Sequence, residues 1–560
     1  MTPEKIKKEI YKINPNIKVT FPDGCVRLEG EADSWEEIVA CGQAAVDKTL
    51  FRGVINDIRL AGFTPPPMRV SAVSDKKYEG KKVDVLIIGG GIVGCAIFRE
   101  LTKYDISVLL CEKEEDVATA QSARNDGMVH AGIDLKRESK KWHYNKRGNA
   151  LYDKLAEELE EPFFRCGQYV LFTEKWHKLT KPFIKARAKK NEVPIKFYSK
   201  KELEKLEPSS KGHYGGVFCA NAGVISPYNM AIAMAECGAQ NGGEIALSTA
   251  VLGIEKKDGR IHSVQTNRGR IYPRAVINAA GVYSDTIAEM AGDRFFTIHP
   301  RKGVEMILDK KAAHLTRSVL GKFVISTRKD HTKGGGLVRT AHENILAGPN
   351  AKETPLKEDT TTGAEDIKEV MEKQGKVAKG LSYSDIITAF GGVRAATYEE
   401  DFIVEKSKKV PNFIQAAGIQ SPGLTAAPAI AEDIAEFVKE VLGDVKTNPL
   451  FNPRRRGIPH VSKLSYKERD ELIKKDPDFG VIVCRCEEVS KGEIIRAIRN
   501  PLGVCSLDGI KRRVRAGMGR CQGGFCGPLV TRLIAREKGL PITEVTKKGG
   551  ESFIVARETK

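Results

Sequence analysis

Val83–Gly94, VDVLIIGGGIVG, decides how this chain folds. Val83 and Val85 to Ile88 form an apolar run, the pattern of a strand buried on both faces of a parallel sheet. Gly89, Gly91 and Gly94 then fit G-x-G-x-x-G, and Cys95 to Lys103 read as a helix with an apolar face. Glycines at these places permit a tight turn, close approach of backbone to a pyrophosphate, and close packing of helix on strand. A second strand, Ile106 to Cys111, ends in Glu112, whose carboxylate can accept hydrogen bonds from a ribose diol. The order strand, glycines, helix, strand and acid within about thirty residues implies a βαβ dinucleotide site. It leaves FAD and NAD both open.

Outward from that unit, 560 residues exceed one ordinary core, and about 150 residues per domain implies three or four units. A chain that is 41% hydrophobic and 29% charged is a soluble globular one. No apolar run reaches the roughly 18 residues that span a bilayer. The opening MTPEKIKKEI lacks a signal peptide's apolar segment, so a cytoplasmic location is expected. Twelve cysteines in so long a chain do not suggest a disulfide framework. The net charge of +18 suits an anionic substrate, an acidic partner, nucleic acid or a lipid surface without choosing among them. Its densest runs, Arg454 to Arg456 and Lys511 to Arg515, lack interleaved aromatics and read as partner-facing or solvated surface, with no nucleic acid expected.

Residues 1–61 read as an αββαβ module: a helix from Pro3 to Ile13, strands near 17–21 and 25–29 about an Asp23-Gly24 turn, a helix capped by Ser34 with Glu37 at capping-box spacing and running to about Leu50, and a strand from Val54 to Leu60. This pattern resembles a BON domain. That resemblance implies attachment to a membrane surface or a protein, against a plain docking appendage. Residues 62–82, with Pro65 to Pro67, read as a linker.

The segment Ala120 to Leu135, AQSARNDGMVHAGIDL, is too long for a simple connection. It resembles the flavin-facing segment of the D-amino-acid-oxidase-like flavoproteins, especially 2-hydroxyglutarate oxidases and anaerobic glycerol-3-phosphate dehydrogenases. Ser122, Asn125, Gly127, His130 and Gly132 stand at the family's places, with Asp126 where serine is usual. AGVISPY at 222–228, VINAAGVYSD at 276–285, HPRKG at 299–303, FGGVRA at 390–395 and AAGIQSPGLTAAPAIA at 416–431 extend the resemblance over residues 83–440. It implies a Rossmann-like FAD domain interleaved with an antiparallel-sheet substrate domain. Ala280, Gly281, Gly392, Gly418, Ser421, Gly423 and Leu424 join Gly89, Gly91, Gly94, Glu112, Ser122, Asn125 and Gly127 as its cofactor-facing residues.

A polar connection, 441–478, leads to residues 479–560. There Cys484 and Cys486 precede Cys521 and Cys526 by 34 intervening residues. Four thiolates in two close pairs can hold a 2Fe-2S cluster, and neighbouring glycines let amides approach the sulfurs; zinc is the competing occupant. The stretch VCRCEEVS through GRCQGGFCGP resembles the BFD-like 2Fe-2S domain, which favours iron.

The expected fold class is thus α/β and α+β multidomain. The expected activity is an FAD-dependent dehydrogenase that oxidises the CH–OH carbon of a small anionic substrate and passes electrons through the cluster to a partner flavoprotein or other redox protein. An oligomer is expected as well. Arg394, where related enzymes hold a substrate anion, is the first choice for the cation, with an interdomain salt bridge as its plain alternative; Arg339 and Lys333 come second and Arg301 third. His130 is a base, a flavin neighbour or an attachment point, and Glu305 is a weaker base. Ser421-Pro422-Gly423-Leu424-Thr425 departs from the glycerol-3-phosphate enzymes' G-G-K-x-T and favours a 2-hydroxy acid such as 2-hydroxyglutarate, whereas the cluster domain favours glycerol 3-phosphate. The other readings are an amino or imino acid substrate, a membrane-attached scaffold, and a flavoprotein that only transfers electrons within a larger redox complex.

Overall fold

Lys81–Ile88 runs parallel to Val108–Cys111 on one side and to Gly269–Asn278 on the other, at the centre of an eight-stranded sheet. The structure, a computed structural model, describes residues 2–324 and 335–557. Val85 and Ile87 enter a core roofed by the helices Ile92–Leu101, Pro227–Gln240 and Gly423–Leu442, while Leu86 and Ile88 enter a second core on the opposite face. Burial on both faces explains the unbroken apolar run. Phe413–Ala417 adds another parallel strand beside Gly269–Asn278.

The second large sheet has nine strands, antiparallel but for one parallel pair, Val319–Lys322 with Gln168–Leu171. Its longest pair joins Ile298–Leu308 to Ile386–Thr397, with Arg301 opposite Arg394, Gly303 opposite Gly392 and Glu305 opposite Phe390. Residues directly opposite in an antiparallel pair share a face, so this register sets one row of side chains toward the first sheet's cavity.

The N-terminal module has the αββαβ order, with helices Pro3–Tyr11 and Trp35–Ala44 and strands Lys18–Thr20, Val26–Ala32 and Val54–Leu60. Its second helix stops at Ala44, short of Leu50. The Asp47 carboxylate accepts the backbone N–H groups of Thr49 and Leu50, a local turn that competes with further helix. The module is seated on the main body: Asn56 Nδ2 donates to the Tyr398 hydroxyl at 2.9 Å, and Arg52 reaches Glu405 at 2.7 Å and Asp293 at 3.4 Å. Gly42 lies so close to Tyr398 that a Cβ there would sit 2.2 Å from the ring. Residues 62–82 are strapped down as well, through buried Tyr78, the Asp75–Arg268 pair and the Arg69–Glu114 pair.

The basic runs are only in part the partner-facing or solvated surface that their composition suggests: Arg454 and Arg456 are exposed, but their neighbours are not. Arg455 is buried and clamps Glu236 at 2.6 Å and Glu161 at 3.0 Å. Arg512 and Arg513 both hold the fully buried Asp116 of the dinucleotide domain, and Arg515 holds Glu487. Spacing along a chain shows that charges cluster, but not that carboxylates from elsewhere close over them. Burial would raise the Asp116 carboxyl, yet Arg513 and Arg512 outweigh it and hold it below its usual range. The stability this pairing gives is therefore present above the unfolded carboxylate value, about 3.9, and lost as pH falls below it. Arg513→Ala should cost about 3–5 kcal/mol by leaving a buried charge under-compensated. Urea unfolding at pH 7 should show it as a C-terminal domain that melts ahead of the rest.

Candidate functional site

A cavity of about 440 Å³ lies between the two sheets. Each glycine of the first turn has a separate steric reason. A Cβ on Gly94 would lie 1.9 Å from the Gly89 carbonyl oxygen, one on Gly89 would lie 2.5 Å from that of Ala279, and one on Gly91 would meet Ser122 Oγ at 3.1 Å. Gly89 and Gly91 line the cavity, whereas Gly94 carries the helix–strand contact. Glu112 closes this end, accepting from Gly90 N–H at 2.7 Å and Glu114 N–H at 2.9 Å; burial raises its carboxyl and these two amides oppose the rise. Ser122 Oγ accepts the first free amide of the helix, Ile92 N–H, at 2.8 Å. Amides at a helix start, a glycine turn and a terminal acid fit a dinucleotide's phosphates and ribose.

The other end is built on the long strand pair. Gly303 gives Arg394 room, since a Cβ there would lie 2.5 Å from Nη2, and Gly392 admits the backbone of Arg124, whose oxygen would stand 2.6 Å from a Cβ. Arg394 Nη2 donates to the Asn350 carbonyl at 3.4 Å, while Nη1 is buried with no hydrogen-bond partner among the described residues. Glu305 Oε2 is likewise buried and unpartnered. Burial pushes the Glu305 carboxyl well up, Asp126 pushes the same way and Arg394 opposes. Burial also lowers Arg394, which stays charged at neutral pH. His130 faces the same space with Nε2 at 3.3 Å from Ser421 Oγ, and its backbone N–H donates to Thr425 Oγ1 at 2.9 Å.

Asn125, Ala280, Gly281, Gly392, Ser421, Gly423 and Leu424 also line the cavity. Gly127 and Gly418 do not: they hold left-handed turns packed against Ile225 and Thr397. Arg301 lies outside the lining too, its guanidinium fixed by Glu353 at 2.6 Å and Glu400 at 2.7 Å, so it is a structural cation. Arg339 also lies outside and pairs with Glu343. Lys333 falls outside the described residues. Sequence reasoning missed Arg69, Arg124, Gly303, Arg512 and Lys548, all of which line the cavity. Arg124 and Gly303 sat within motifs already singled out; Arg512 was hidden in a run read as surface.

In the C-terminal domain Cys484 ends the strand Ile482–Cys484, and Cys526 precedes the helix Gly527–Lys538. Cys484 and Cys486 Sγ are 3.9 Å apart, and Cys486 and Cys521 Sγ are 4.0 Å apart. Gly519 makes room for Cys486, whose sulfur would be 2.3 Å from a Cβ. Backbone amides of Phe525 and Gly523 help hold the exposed Cys521 thiol below its usual value. Among the described residues no three His, Cys, Asp or Glu side chains converge as the ligands of one ion. Four neighbouring thiols, Cys486 beside both Cys484 and Cys521 and Cys526 beside Cys484, with amides at Cys521, fit a cluster of two irons better.

Comparison with known proteins agrees with both sites. The family described as FAD dependent oxidoreductase matches residues 84–437, and the BFD-like 2Fe-2S binding domain matches residues 482–536. A glycerol 3-phosphate dehydrogenase of Caloramator mitchellensis is 39% identical over 480 residues, 85% of this chain and 99% of that protein. One of the subunits of the anaerobic glycerol-3-phosphate dehydrogenase of Escherichia coli is 22% identical over 82% of this chain and 89% of that protein. Among solved structures, the dithionite-reduced L-α-glycerophosphate oxidase of Mycoplasma pneumoniae with FAD bound is similar with a TM-score of 0.62 and 27% identity, over 67% of this chain and 98% of that one. No helix among the described residues is long and apolar enough to cross a membrane.

Because its folded value is raised, Glu305 keeps its proton as pH rises past the unfolded value of about 4.3, and this contribution to stability is lost as pH climbs through the folded value. Glu305→Gln removes that loss. Its melting temperature should match the parent's near pH 4 and exceed it increasingly toward pH 8; parallel curves across that range would show that Glu305 is ionised in the resting site.

Proposed function

The chain belongs to the FAD dependent oxidoreductases and carries a BFD-like 2Fe-2S domain, and from this we propose that it oxidises the CH–OH carbon of a small anionic substrate, glycerol 3-phosphate before a 2-hydroxy acid. The observation that carries the reading is a pair of buried groups with no hydrogen-bond partner among the described residues, Arg394 Nη1 and Glu305 Oε2, beside His130 in one cavity. An unpaired buried guanidinium is costly unless a ligand supplies the anion. The Ser421-Pro422-Gly423 turn favoured a 2-hydroxy acid, but resemblance to a glycerol 3-phosphate dehydrogenase along nearly its whole length weighs more than one turn.

Oxidation of the carbinol to a carbonyl removes a hydride from carbon and a proton from oxygen. FAD, when bound, would supply the hydride acceptor, and a 2Fe-2S cluster held by Cys484, Cys486, Cys521 and Cys526 would supply one-electron transfer. In this proposal Arg394 fixes the substrate's acid group, His130 accepts the hydroxyl proton at Nε2, and protonated Glu305 donates a hydrogen bond within the site. Gly303 keeps Arg394 aimed by leaving it space. Cys521, exposed at the protein surface, supports an exit to a separate redox partner, as does likeness to a protein named as one component of an anaerobic dehydrogenase.

Anaerobic mixing of the holoprotein with glycerol 3-phosphate should bleach the flavin absorbance, with lactate, 2-hydroxyglutarate and proline as comparison substrates. Arg394→Ala should raise KM on the order of tenfold to a hundredfold, the loss of a charged hydrogen bond of about 1.5–3 kcal/mol, with bound flavin unchanged. Bleaching by proline alone would make the enzyme an amine dehydrogenase. An unaltered KM in Arg394→Ala would remove that residue from the site.

A further inference from the structure

The dinucleotide end of the cavity is walled partly by the cluster domain. Arg512 and Asp508, from the helix Leu507–Val514, and Lys548 line it together with Arg69 and Arg124. The segment carrying Lys548 is pressed onto the dinucleotide domain: a Cβ on Gly549 would lie 2.7 Å from a Glu115 carboxylate oxygen, and Ser506 Oγ donates to Glu115 at 2.5 Å.

One guanidinium there lacks a carboxylate partner. Among the described residues Arg124 donates to the backbone carbonyls of Thr119 at 3.3 Å and Gly391 at 3.1 Å, with no carboxylate hydrogen-bonded to it. Burial lowers this guanidinium, Arg512 and Arg69 lower it further, and Asp508 and Glu114 oppose them. Arg512 holds Asp116 through Nε at 3.2 Å and Nη2 at 2.8 Å, but Arg513 shares that carboxylate. Glu114 pairs with Arg69 and Lys113, Lys113 also reaches Glu358, and Asp508 pairs with Lys547. Burial raises the Glu115 carboxyl, which weakens it as a counterion. Beside this cationic group lies the N-terminus of the helix Ile92–Leu101, whose first amide, that of Ile92, is taken by Ser122 Oγ. Guanidinium groups and helix-start amides are the donors that bind phosphate oxygens.

We propose that the cluster domain completes the diphosphate site of the dinucleotide through Arg512, assisted by Lys548, so that flavin binding and docking of the cluster domain reinforce each other. The proposal rests on the FAD reading above and deepens it. Whatever binds both faces of an interface strengthens that interface by the same free energy as the interface strengthens its binding.

The test uses full-length protein with the cluster intact, verified by visible circular dichroism, and the flavin removed. FAD affinity is read from flavin fluorescence and ADP affinity by competition. Arg512→Ala should bind both at least about tenfold more weakly, the range of a lost charge-assisted contact, with Arg512→Lys recovering part of it. Lys548→Ala, at an exposed position, should weaken both more modestly and become indistinguishable from the parent at high salt. Asp116→Asn keeps one oxygen that can accept from both arginines, loses the acceptor facing Arg513 Nη2, and should therefore weaken FAD binding through docking alone, by less than Arg512→Ala does. Parent-like FAD affinity in Arg512→Ala overturns the proposal. So does an Asp116→Asn loss as large as that of Arg512→Ala, since Arg512 would then act only by holding the domains together. A parent chain that takes up no FAD would overturn the cofactor reading itself.

Discussion

Where Lys81–Ile88 and Gly269–Asn278 end, three backbones meet with no room for one more methyl group. The Gly94 Cβ position lies 1.9 Å from the Gly89 oxygen, and the Gly89 Cβ position 2.5 Å from the Ala279 oxygen. This contact fixes where the helix Ile92–Leu101 starts, and hence where its free amides point. Asn278, fully buried, holds the neighbouring crossover by donating to the Ser284 carbonyl at 2.7 Å and to Gln415 at 2.8 Å. The cavity floor is therefore set by steric exclusion at one point and by buried amide bonds at the next.

Around that floor the N-terminal module is joined to the main body through apolar packing, and the C-terminal part of the chain through buried ion pairs. Asp116 with Arg512 and Arg513, and Glu236 and Glu161 with Arg455, are each buried on both partners or nearly so. Such pairs add little over well-packed apolar groups, but breaking one strands a charge, so they specify a single docking geometry. Part of the chain's large positive charge is thus internal. Arg124 and Arg394, with no carboxylate hydrogen-bonded to them among the described residues, both line the cavity where an anionic ligand would lie.

The dinucleotide unit was legible in the sequence because each of its constraints is local: β-branched residues for a two-faced strand, glycines for contacts that admit no Cβ, an acid at the next strand's end. The N-terminal αββαβ order was legible for the same reason, and so was the closeness of Cys484 and Cys486, two residues apart. The fates of Arg301, Arg455 and Arg512 were not. Each depends on a carboxylate far along the chain, such as Glu400 for Arg301 or Asp116 for Arg512, and no local pattern carries that information. The helix expected to reach Leu50 failed for a local reason that helical periodicity does not register, the Asp47 turn.

One strand ties the two redox ends of the protein together. Ile298–Leu308 carries Glu305 into the cavity, and its last residue, Leu308, accepts a hydrogen bond from Asn344 Nδ2 at 2.9 Å. Asn344 Oδ1 accepts from Arg515 Nη2 at 2.9 Å, and Arg515 Nε donates to Glu487, the residue after Cys486, at 2.9 Å. Lys310, two residues past the strand, reaches Glu487 as well, at 3.1 Å. The wall beside the substrate and the loop holding two of the thiols are thereby fixed to one rigid element. A chain that must move electrons between two centres benefits from that arrangement, because a hinge there would let their separation drift with every motion of the cluster domain.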